Sequence, residues 1–431
     1  MSLIERFWTR PGTMEPAAAR ARTVPSWARS LLMIAIWAVA TIGLVRAAWA
    51  FVPPAKVCPD FICFWSAAEL MSQGQSPYNA EAETQVQRVH GWDKATDGIG
   101  IYEFLPYFYP PWFGMLFLPL LPLGYQAAKL VWLVLNIELL FGAGLLLRKN
   151  VARLSGSIPI IVACAFALSV YSLLMGQTPP LIFFLIALTW RLLDKEYDWC
   201  AGSVLAWLTI KPQITAILLL ALFLWALRRR RWGVVLGFGT TLGVLALVSS
   251  VIVPSWALQM LRATSLTPLP TDYFPWYGTT WLLVLRSLGL HSWPLWGLYL
   301  AAALPFLAVV VTKALDRQGS LEDLLSLALL AVFFIAPYGQ PYDFTVLLIP
   351  FLVLLGGRLS EKASAGLLMA ILILPYLHIS YANRIVLWWL PAKPAHQVTL
   401  FWIPLLLTSV WAASVYRSRS SRAPLPQASA P

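Results

Sequence analysis

Asp60 is an acidic residue that follows the first long apolar run, between Pro59 and an aromatic stretch at 61–65. A carboxylate held near a membrane surface can act as a general base on a substrate that arrives at the lipid boundary. It can also cap the short amphipathic helix expected over 61–71, because aspartate is a favoured N-cap residue. The two roles are compatible, and the local sequence leaves both open.

Lys211 is a basic residue that interrupts the apolar stretch 199–224 and is followed by Pro212. A lysine at the centre of a membrane helix costs about 2.5 to 3.5 kcal/mol, so an anionic group is expected beside it. Because proline breaks the helix, the break leaves room for a phosphate. The alternative is that Lys211 extends its ammonium group to the membrane interface.

The composition predicts the kind of fold that must position these residues. Hydrophobic residues make up 59% of the chain and charged residues 12%, whereas soluble domains are about 25% charged. The net charge of +12 comes from Lys and Arg that cluster at the ends of apolar runs. This distribution indicates membrane orientation, so we expect membrane lipids and no nucleic acid as partners.

Apolar runs predict about 12 transmembrane helices in an all-α polytopic membrane protein, with residues 30–416 as one domain. The runs are 30–52, 125–147, 158–175, 180–193, 199–210, 213–227, 232–253, 294–312, 324–336, 344–356, 363–380 and 398–416. The proline-rich run 108–123 is short for a span, and we interpret it as a re-entrant or interfacial hairpin.

The positive-inside rule predicts the orientation. If the basic N-terminus, residues 1–29, is cytoplasmic, most Lys and Arg lie on the cytoplasmic side. Residues 52–124 then form a large first extracytoplasmic loop with juxtamembrane helices. The tail, 417–431, is rich in Ser, Arg, Pro and Ala and is predicted to be disordered and cytoplasmic.

With this topology the unusual polar residues fall on one side of the membrane. Gln177 is a turn residue there and either joins the site or is an ordinary loop residue. Asp343 either caps a helix or serves as a second acid or sugar-binding group. The candidates for a donor phosphate are Lys211, Gln177, Arg384 and Arg262, and those for an acceptor or sugar pocket are Tyr78, Tyr109, Asp272, Tyr342 and Asp343.

Several chemistries have no motif in the chain. It contains no phosphate-binding loop, no GxSxG nucleophile elbow and no HExxH zinc motif, and its four cysteines and four histidines lack zinc spacing. We therefore expect no cofactor.

The order of the motifs resembles glycosyltransferase family 87, whose members are bacterial polytopic enzymes of the GT-C superfamily. The resemblance is carried by Asp60, Gly74-Gln75-Ser76-Pro77-Tyr78, Tyr109-Pro110-Pro111, Leu130-Val131-Trp132-Leu133-Val134-Leu135-Asn136, Gly176-Gln177, Lys211-Pro212 and Tyr342-Asp343-Phe344. It covers most of residues 55–355.

The resemblance implies a GT-C-type bundle in the bacterial cytoplasmic (inner) membrane. It also implies a polyprenyl-phosphate sugar donor, such as a mannose donor, and transfer to a lipid or glycan acceptor on the extracytoplasmic face. Asp60 would be the general base, Lys211 would hold the donor phosphate with Gln177 nearby, and no metal would be obligatory. Some relatives have a histidine in the late outer loop, where the nearest candidate in this chain is Asp343.

Two other functions fit a polytopic chain. A transporter or flippase of lipid-linked glycan should show charges along the middle of the membrane and repeat symmetry, and the one-sided clustering of polar loops disfavours it. A surface-polysaccharide polymerase or ligase usually has its large outer loop late in the chain, whereas here the large loop follows the first span.

Overall fold

The computed structural model describes residues 57–92, 103–151, 156–389 and 397–420, with a few positions between 35 and 46 and with backbone alone for 150, 380–389 and 418–420. The cytoplasmic N-terminus predicted at 1–29, most of the first apolar run and residues 421–431 of the tail lie outside the described residues. Within the described ranges the chain forms α-helices and short 3₁₀-helices and no strand. The all-α class is thereby confirmed.

The described α-helices follow one another with short connections. They are α1 (Phe61–Ser72), α2 (Ala80–Val89), α3 (Pro111–Met115), α4 (Tyr125–Asn150), α5 (Ile158–Ala165), α6 (Ala167–Met175), α7 (Pro179–Asp194), α8 (Asp198–Trp207), α9 (Pro212–Arg228), α10 (Trp232–Ile252), α11 (Trp256–Leu266), α12 (Pro270–Tyr273), α13 (Trp281–Ser287), α14 (Ser292–Leu315), α15 (Leu321–Ile335), α16 (Leu348–Leu355), α17 (Glu361–Trp389) and α18 (Trp402–Ser420). The 3₁₀-helices are Leu118–Leu123, Leu208–Ile210, Pro275–Tyr277, Pro341–Leu347 and Gln397–Phe401.

Among the described residues, five helices are long and apolar enough to cross a membrane, and a sixth span is formed if the pair α5 and α6, bent by 53°, counts as one. The five are Tyr125–Lys149, Trp232–Ile252, Ser292–Leu315, Glu361–Ile379 and Gln397–Arg417. The number of twelve spans therefore stays a prediction.

Two of the remaining apolar runs form shorter helices that lie inside the bundle. α15 has 15 residues and is buried over most of its length, and α16 has 8 residues, all buried. A helix of 15 residues rises about 22 Å, less than the roughly 30 Å of a bilayer core. These helices are apolar because other helices surround them.

Two helices approach each other at backbone distance where glycine allows it. Gly202 on α8 faces the carbonyl of Val234 on α10, and Gly237 faces the carbonyl of Trp199. A methyl group at either glycine would collide with that carbonyl, so both positions require a residue without a side chain.

The polar region after the first apolar run packs onto the bundle. α1 is almost wholly buried, and its Phe61 and Phe64 rings contact Phe117 and Trp132. The run 108–123 forms α3 and the 3₁₀-helix Leu118–Leu123, of 5 and 6 residues. Neither is long enough to span a membrane. The large first loop as a whole stays a prediction, because part of it lies outside the described residues.

Candidate active site

The loop that carries Asp60 is bound to the end of α6 by backbone hydrogen bonds. The Cys58 N–H donates to the Leu174 carbonyl at 2.6 Å, and the Asp60 N–H donates to the Met175 carbonyl at 3.1 Å. The Cys58 thiol also donates to the Leu173 carbonyl at 3.2 Å. Burial raises the pKa of this thiol to about 12, so the thiol keeps its proton and remains a donor.

Gly176 allows this close approach. It ends α6 in the left-handed region, with φ of +73°, where glycine carries no steric penalty. A Cβ added there would lie 2.7 Å from Cys58 Cβ. The Gly176 carbonyl accepts a 2.7 Å hydrogen bond from Trp132 Nε1. The turn after α6 is therefore held from both sides, and the next residue, Gln177, is presented to Asp60.

Asp60 occupies the N-cap position of α1, but its side chain makes no capping hydrogen bond. Its Oδ2 instead accepts a hydrogen bond from Gln177 Nε2 at 2.5 Å. Gln177 is buried, whereas Asp60 is partly exposed. The carboxylate is thus oriented by a fixed amide and remains accessible to a substrate.

Tyr109 adds a phenol to this pair. Its hydroxyl donates to Gln177 Oε1 at 3.4 Å, and its carbonyl accepts from the Tyr78 hydroxyl at 2.8 Å. Burial raises the pKa of the Tyr109 phenol well above 10, and the nearby carboxylates of Asp343 and Asp60 raise it further. Tyr109 is therefore a protonated hydrogen-bond donor beside two acids.

Lys211 lies at the break between the 3₁₀-helix Leu208–Ile210 and α9. Its φ of −137° is extended, as expected for a residue before proline, and Pro212 starts the new helix. The Thr215 hydroxyl is placed to donate to the carbonyls of Leu208 and Lys211, at 2.8 and 3.0 Å. It thereby supplies a donor that the interrupted helix lacks.

The anionic group beside Lys211 is Asp343. Lys211 Nζ donates to Asp343 Oδ1 at 2.5 Å, and the two side chains are 3% and 0% exposed. The ammonium group also lies 4.7 Å from the centre of the Tyr342 ring. Asp343 Oδ2 accepts from the Gln340 N–H at 2.9 Å, which caps the 3₁₀-helix Pro341–Leu347. Asp343 is thus both a helix-capping residue and one half of a buried ion pair.

Aromatic residues connect the Asp60 and Lys211 groups. The rings of Tyr171 and Tyr342 lie 6.0 Å apart, both half-buried. Tyr109 contacts Gln177 and lies within electrostatic range of Asp343. The fold therefore brings Asp60, Gln177, Tyr109, Lys211, Tyr342 and Asp343 together, with Tyr78 behind Tyr109.

Two other candidates, Arg262 and Asp272, are not joined to this group in the described part of the chain. Arg262 is exposed on α11. Asp272 is exposed, accepts from the Leu269 N–H at 2.8 Å and lies 3.8 Å from Arg286. Arg384 is on α17, and its side chain lies outside the described residues.

Sequence reasoning did not identify two residues at the edge of this group: Tyr171, which lies beside Tyr342, and Lys129, which lies near the loop that carries Cys58 and Asp60. Tyr171 lies within an apolar run, where an aromatic residue is usually core or lipid-facing, so its sequence context carries no signal. Lys129 is buried near the start of α4, with Nζ 5.4 Å from the Tyr125 ring centre. A lysine in the early turns of an apolar helix was a usable signal, of the same kind as Lys211.

No group of three His, Cys, Asp or Glu residues within the described ranges is arranged to hold a metal ion. In those same ranges the cysteines are free thiols, with Cys58 and Cys63 buried.

The described fold and site define a helical membrane protein with a polar site in which Gln177 orients the Asp60 carboxylate. The sequence model of glycosyltransferase family 87 matches residues 107–337, more than half of the chain. The chain therefore belongs to glycosyltransferase family 87 and is a glycosyltransferase. The matched range contains Tyr109, Gln177 and Lys211, whereas Asp60 and Asp343 lie outside it. Searches of curated proteins and of solved structures found no match.

Proposed function

We propose that this glycosyltransferase moves a hexose or pentose, with mannose as the first candidate, from a polyprenyl-phosphate donor to a lipid or glycan acceptor. The observation that carries the proposal is the Asp60 carboxylate, which Gln177 orients beside Tyr109 and the Lys211–Asp343 pair. A lipid-phosphate donor already carries its activation, which agrees with a sequence that has no nucleotide-binding motif.

The reaction is a single displacement with inversion at the anomeric carbon. Asp60 takes the proton of the acceptor hydroxyl while the acceptor oxygen forms a bond to the anomeric carbon. The bond from that carbon to the phosphate oxygen breaks, and its electron pair leaves with the polyprenyl phosphate. A positioned base of this kind supplies about 10²- to 10⁴-fold in rate. The Gln177 amide holds the carboxylate toward the acceptor.

Lys211 has a dual role in this proposal. One of its N–H donors is engaged by Asp343, and an ammonium group has three donors. In the proposed reaction, a second N–H of the ammonium group binds the phosphate of the sugar donor and stabilises the charge that develops as the phosphate leaves. Arg384 and Arg262 remain proposed phosphate ligands, while Tyr78, Tyr109, Asp272, Tyr342 and Asp343 are the proposed sugar and acceptor contacts. No cofactor takes part.

We propose that the reaction takes place on the extracytoplasmic face of the bacterial inner membrane, as the family resemblance implies. The distribution of Lys and Arg supports the orientation, with both termini in the cytoplasm. Single cysteines introduced at the exposed residues Gln75 and Gln318 test this orientation in a Cys200→Ser background, which removes the exposed native thiol. A membrane-impermeant maleimide should label residue 75 but not residue 318 in intact cells. The reverse pattern would refute the orientation.

A donor screen tests the function. Purified protein is incubated with polyprenyl-phosphate mannose, glucose or arabinose and a membrane lipid extract, and transfer of labelled sugar is measured. Asp60→Asn should reduce turnover at least about 100-fold, because it removes the base. Asp316→Asn is the matched control, since Asp316 is exposed and accepts a backbone N–H that asparagine can also accept.

Turnover by Asp60→Asn equal to that of the control would exclude Asp60 as the base. Transfer of none of the three sugars by the wild type would contradict the proposed donor class.

A further inference from the structure

α2 is a polar surface helix that buries only two side chains, Glu83 and Gln87. These residues are four positions apart, so they lie on the same face of the helix. Burying a carboxyl and an amide on such a short helix is costly unless both find hydrogen-bond partners. Both side chains bind the backbone of a single segment, residues 105–109.

Gln87 binds the backbone of Leu105 at two points. Its Oε1 accepts from the Leu105 N–H at 2.7 Å, and its Nε2 donates to the Leu105 carbonyl at 2.8 Å. The same Nε2 donates to the Ser66 hydroxyl on α1 at 3.1 Å. One amide therefore connects the segment to both α1 and α2.

Glu83 binds the same segment two residues after Leu105: its Oε1 accepts a hydrogen bond from the Tyr107 N–H at 3.1 Å. Two residues further, the Tyr109 carbonyl accepts from the Tyr78 hydroxyl at 2.8 Å. The segment has no neighbouring strand among the described residues, yet every second residue is paired. Side chains of α2 and Tyr78 supply the partners that a second strand would supply in a sheet.

α2 is also attached to α1, the helix that follows Asp60. Besides the Gln87–Ser66 bond, the Glu69 carboxylate on α1 lies 3.0 Å from His90 Nε2 at the end of α2. The helix that follows Asp60 and the segment that leads to Tyr109 are therefore both bound to α2, and Asp60 and Tyr109 both contact Gln177.

We propose that Glu83 and Gln87 are positioning residues for the transfer reaction: through residues 105–107 they set the position of Tyr109 relative to Asp60. The expected effect on the transfer rate rests on the proposed function. The expected effect on the position of Tyr109 rests on the hydrogen bonds described above. A displacement of about 1 Å at a reacting group can cost up to roughly 100-fold in rate. The loss should appear in kcat, because neither residue is among the proposed donor contacts.

The test is a double-mutant cycle between α2 and Tyr109. Gln87→Ala should lower kcat about 10- to 100-fold and leave the donor KM within about twofold. Gln85→Ala is the matched control, since Gln85 is an exposed glutamine on the same helix. In a Tyr109→Phe background, Gln87→Ala should have a much smaller effect. Equal effects in the two backgrounds would overturn the inference, because a loss of general stability would be independent of the Tyr109 hydroxyl.

Variants of Glu83 give a second test, in which a conservative substitution keeps the hydrogen bond and controls for misfolding. Glu83→Gln keeps an acceptor for the Tyr107 N–H and should retain kcat within about threefold, whereas Glu83→Ala should lose about tenfold or more. If Glu83→Ala retains wild-type kcat, Glu83 is not a positioning residue.

Hydrogen exchange separates this inference from the proposed function. In Gln87→Ala the amide of Leu105 should exchange at least about tenfold faster, with unchanged exchange in α9. This readout does not depend on any sugar donor. Wild-type transfer with unchanged exchange and unchanged kcat in Gln87→Ala would leave the function standing and reject the positioning role. Faster exchange in a protein that transfers none of the sugars would reject the proposed donor class and retain the structural part.

Discussion

Removing one member of the buried Lys211–Asp343 pair should destabilise the protein strongly. The Asp343 carboxylate is 0% exposed, and Lys211→Met removes the positive charge beside it. In the described structure the carboxylate then keeps its hydrogen bond from the Gln340 N–H. Breaking a buried pair in this way costs about 3–5 kcal/mol. At roughly 2 °C per kcal/mol for a large domain, the expected fall in Tm is about 6–10 °C.

Asp343→Asn should cost a similar amount, because it leaves the Lys211 ammonium group, which is 3% exposed, without the opposite charge that compensates it. The double variant Lys211→Met/Asp343→Asn contains neither charge and should be more stable than the sum of the two single losses predicts, by about 2 kcal/mol or more. The comparison therefore measures the interaction between the two charges.

The assay is scanning fluorimetry of detergent-purified protein, which the 22 tryptophans make possible without a label. All variants are scanned at one rate, because a Tm from irreversible unfolding depends on scan rate. Single variants within about 1 °C of wild type, or a double variant equal to the sum of the singles, would refute the conclusion that the two charges compensate each other.

Two further variants test individual contacts. Burial raises the pKa of the Glu83 carboxyl well above 4.5. Between pH 4.5 and the raised pKa, the folded protein keeps a proton that the unfolded chain has released. The free energy of unfolding therefore falls as pH rises through that window. Glu83→Gln should abolish this fall in a series of Tm measurements against pH, and an unchanged slope would contradict the assignment. Gly176→Ala places a Cβ 2.7 Å from Cys58 Cβ at a φ of +73° and should cost roughly 1–3 kcal/mol together with most of the turnover. Gly239→Ala, whose added Cβ meets no atom within 4 Å, should leave both properties near wild type, and equal losses in the two alanine variants would contradict the packing argument.

The sequence singled out Lys211 because a charge within an apolar stretch has a large local cost, which can be recognised without knowing its neighbours. It singled out Asp60 because that carboxylate directly follows the first long apolar run. It also indicated the break before Pro212, which follows from the geometry of proline alone. The partners could not be predicted in the same way. Gln177 is 117 residues from Asp60, and Asp343 is 132 residues from Lys211.

Glu83 and Gln87 show the opposite case. In the sequence they belong to a polar helix and look like solvent-exposed residues, because a glutamate and a glutamine are usually exposed. Their burial depends on where residues 105–107 lie, and no local pattern contains that information.

The sequence alone therefore determined the class: a chain so apolar and so poor in charge must place most of its helices in lipid or inside a bundle, and the order of its motifs resembles one family of glycosyltransferases. The tertiary structure decided which polar groups meet. Asp60 stands at the start of a helix, but its carboxylate is turned to Gln177 instead of capping that helix. The reason is that hydropathy and helix capping are local free energies, whereas the pairing of two distant side chains is decided by how the helices pack.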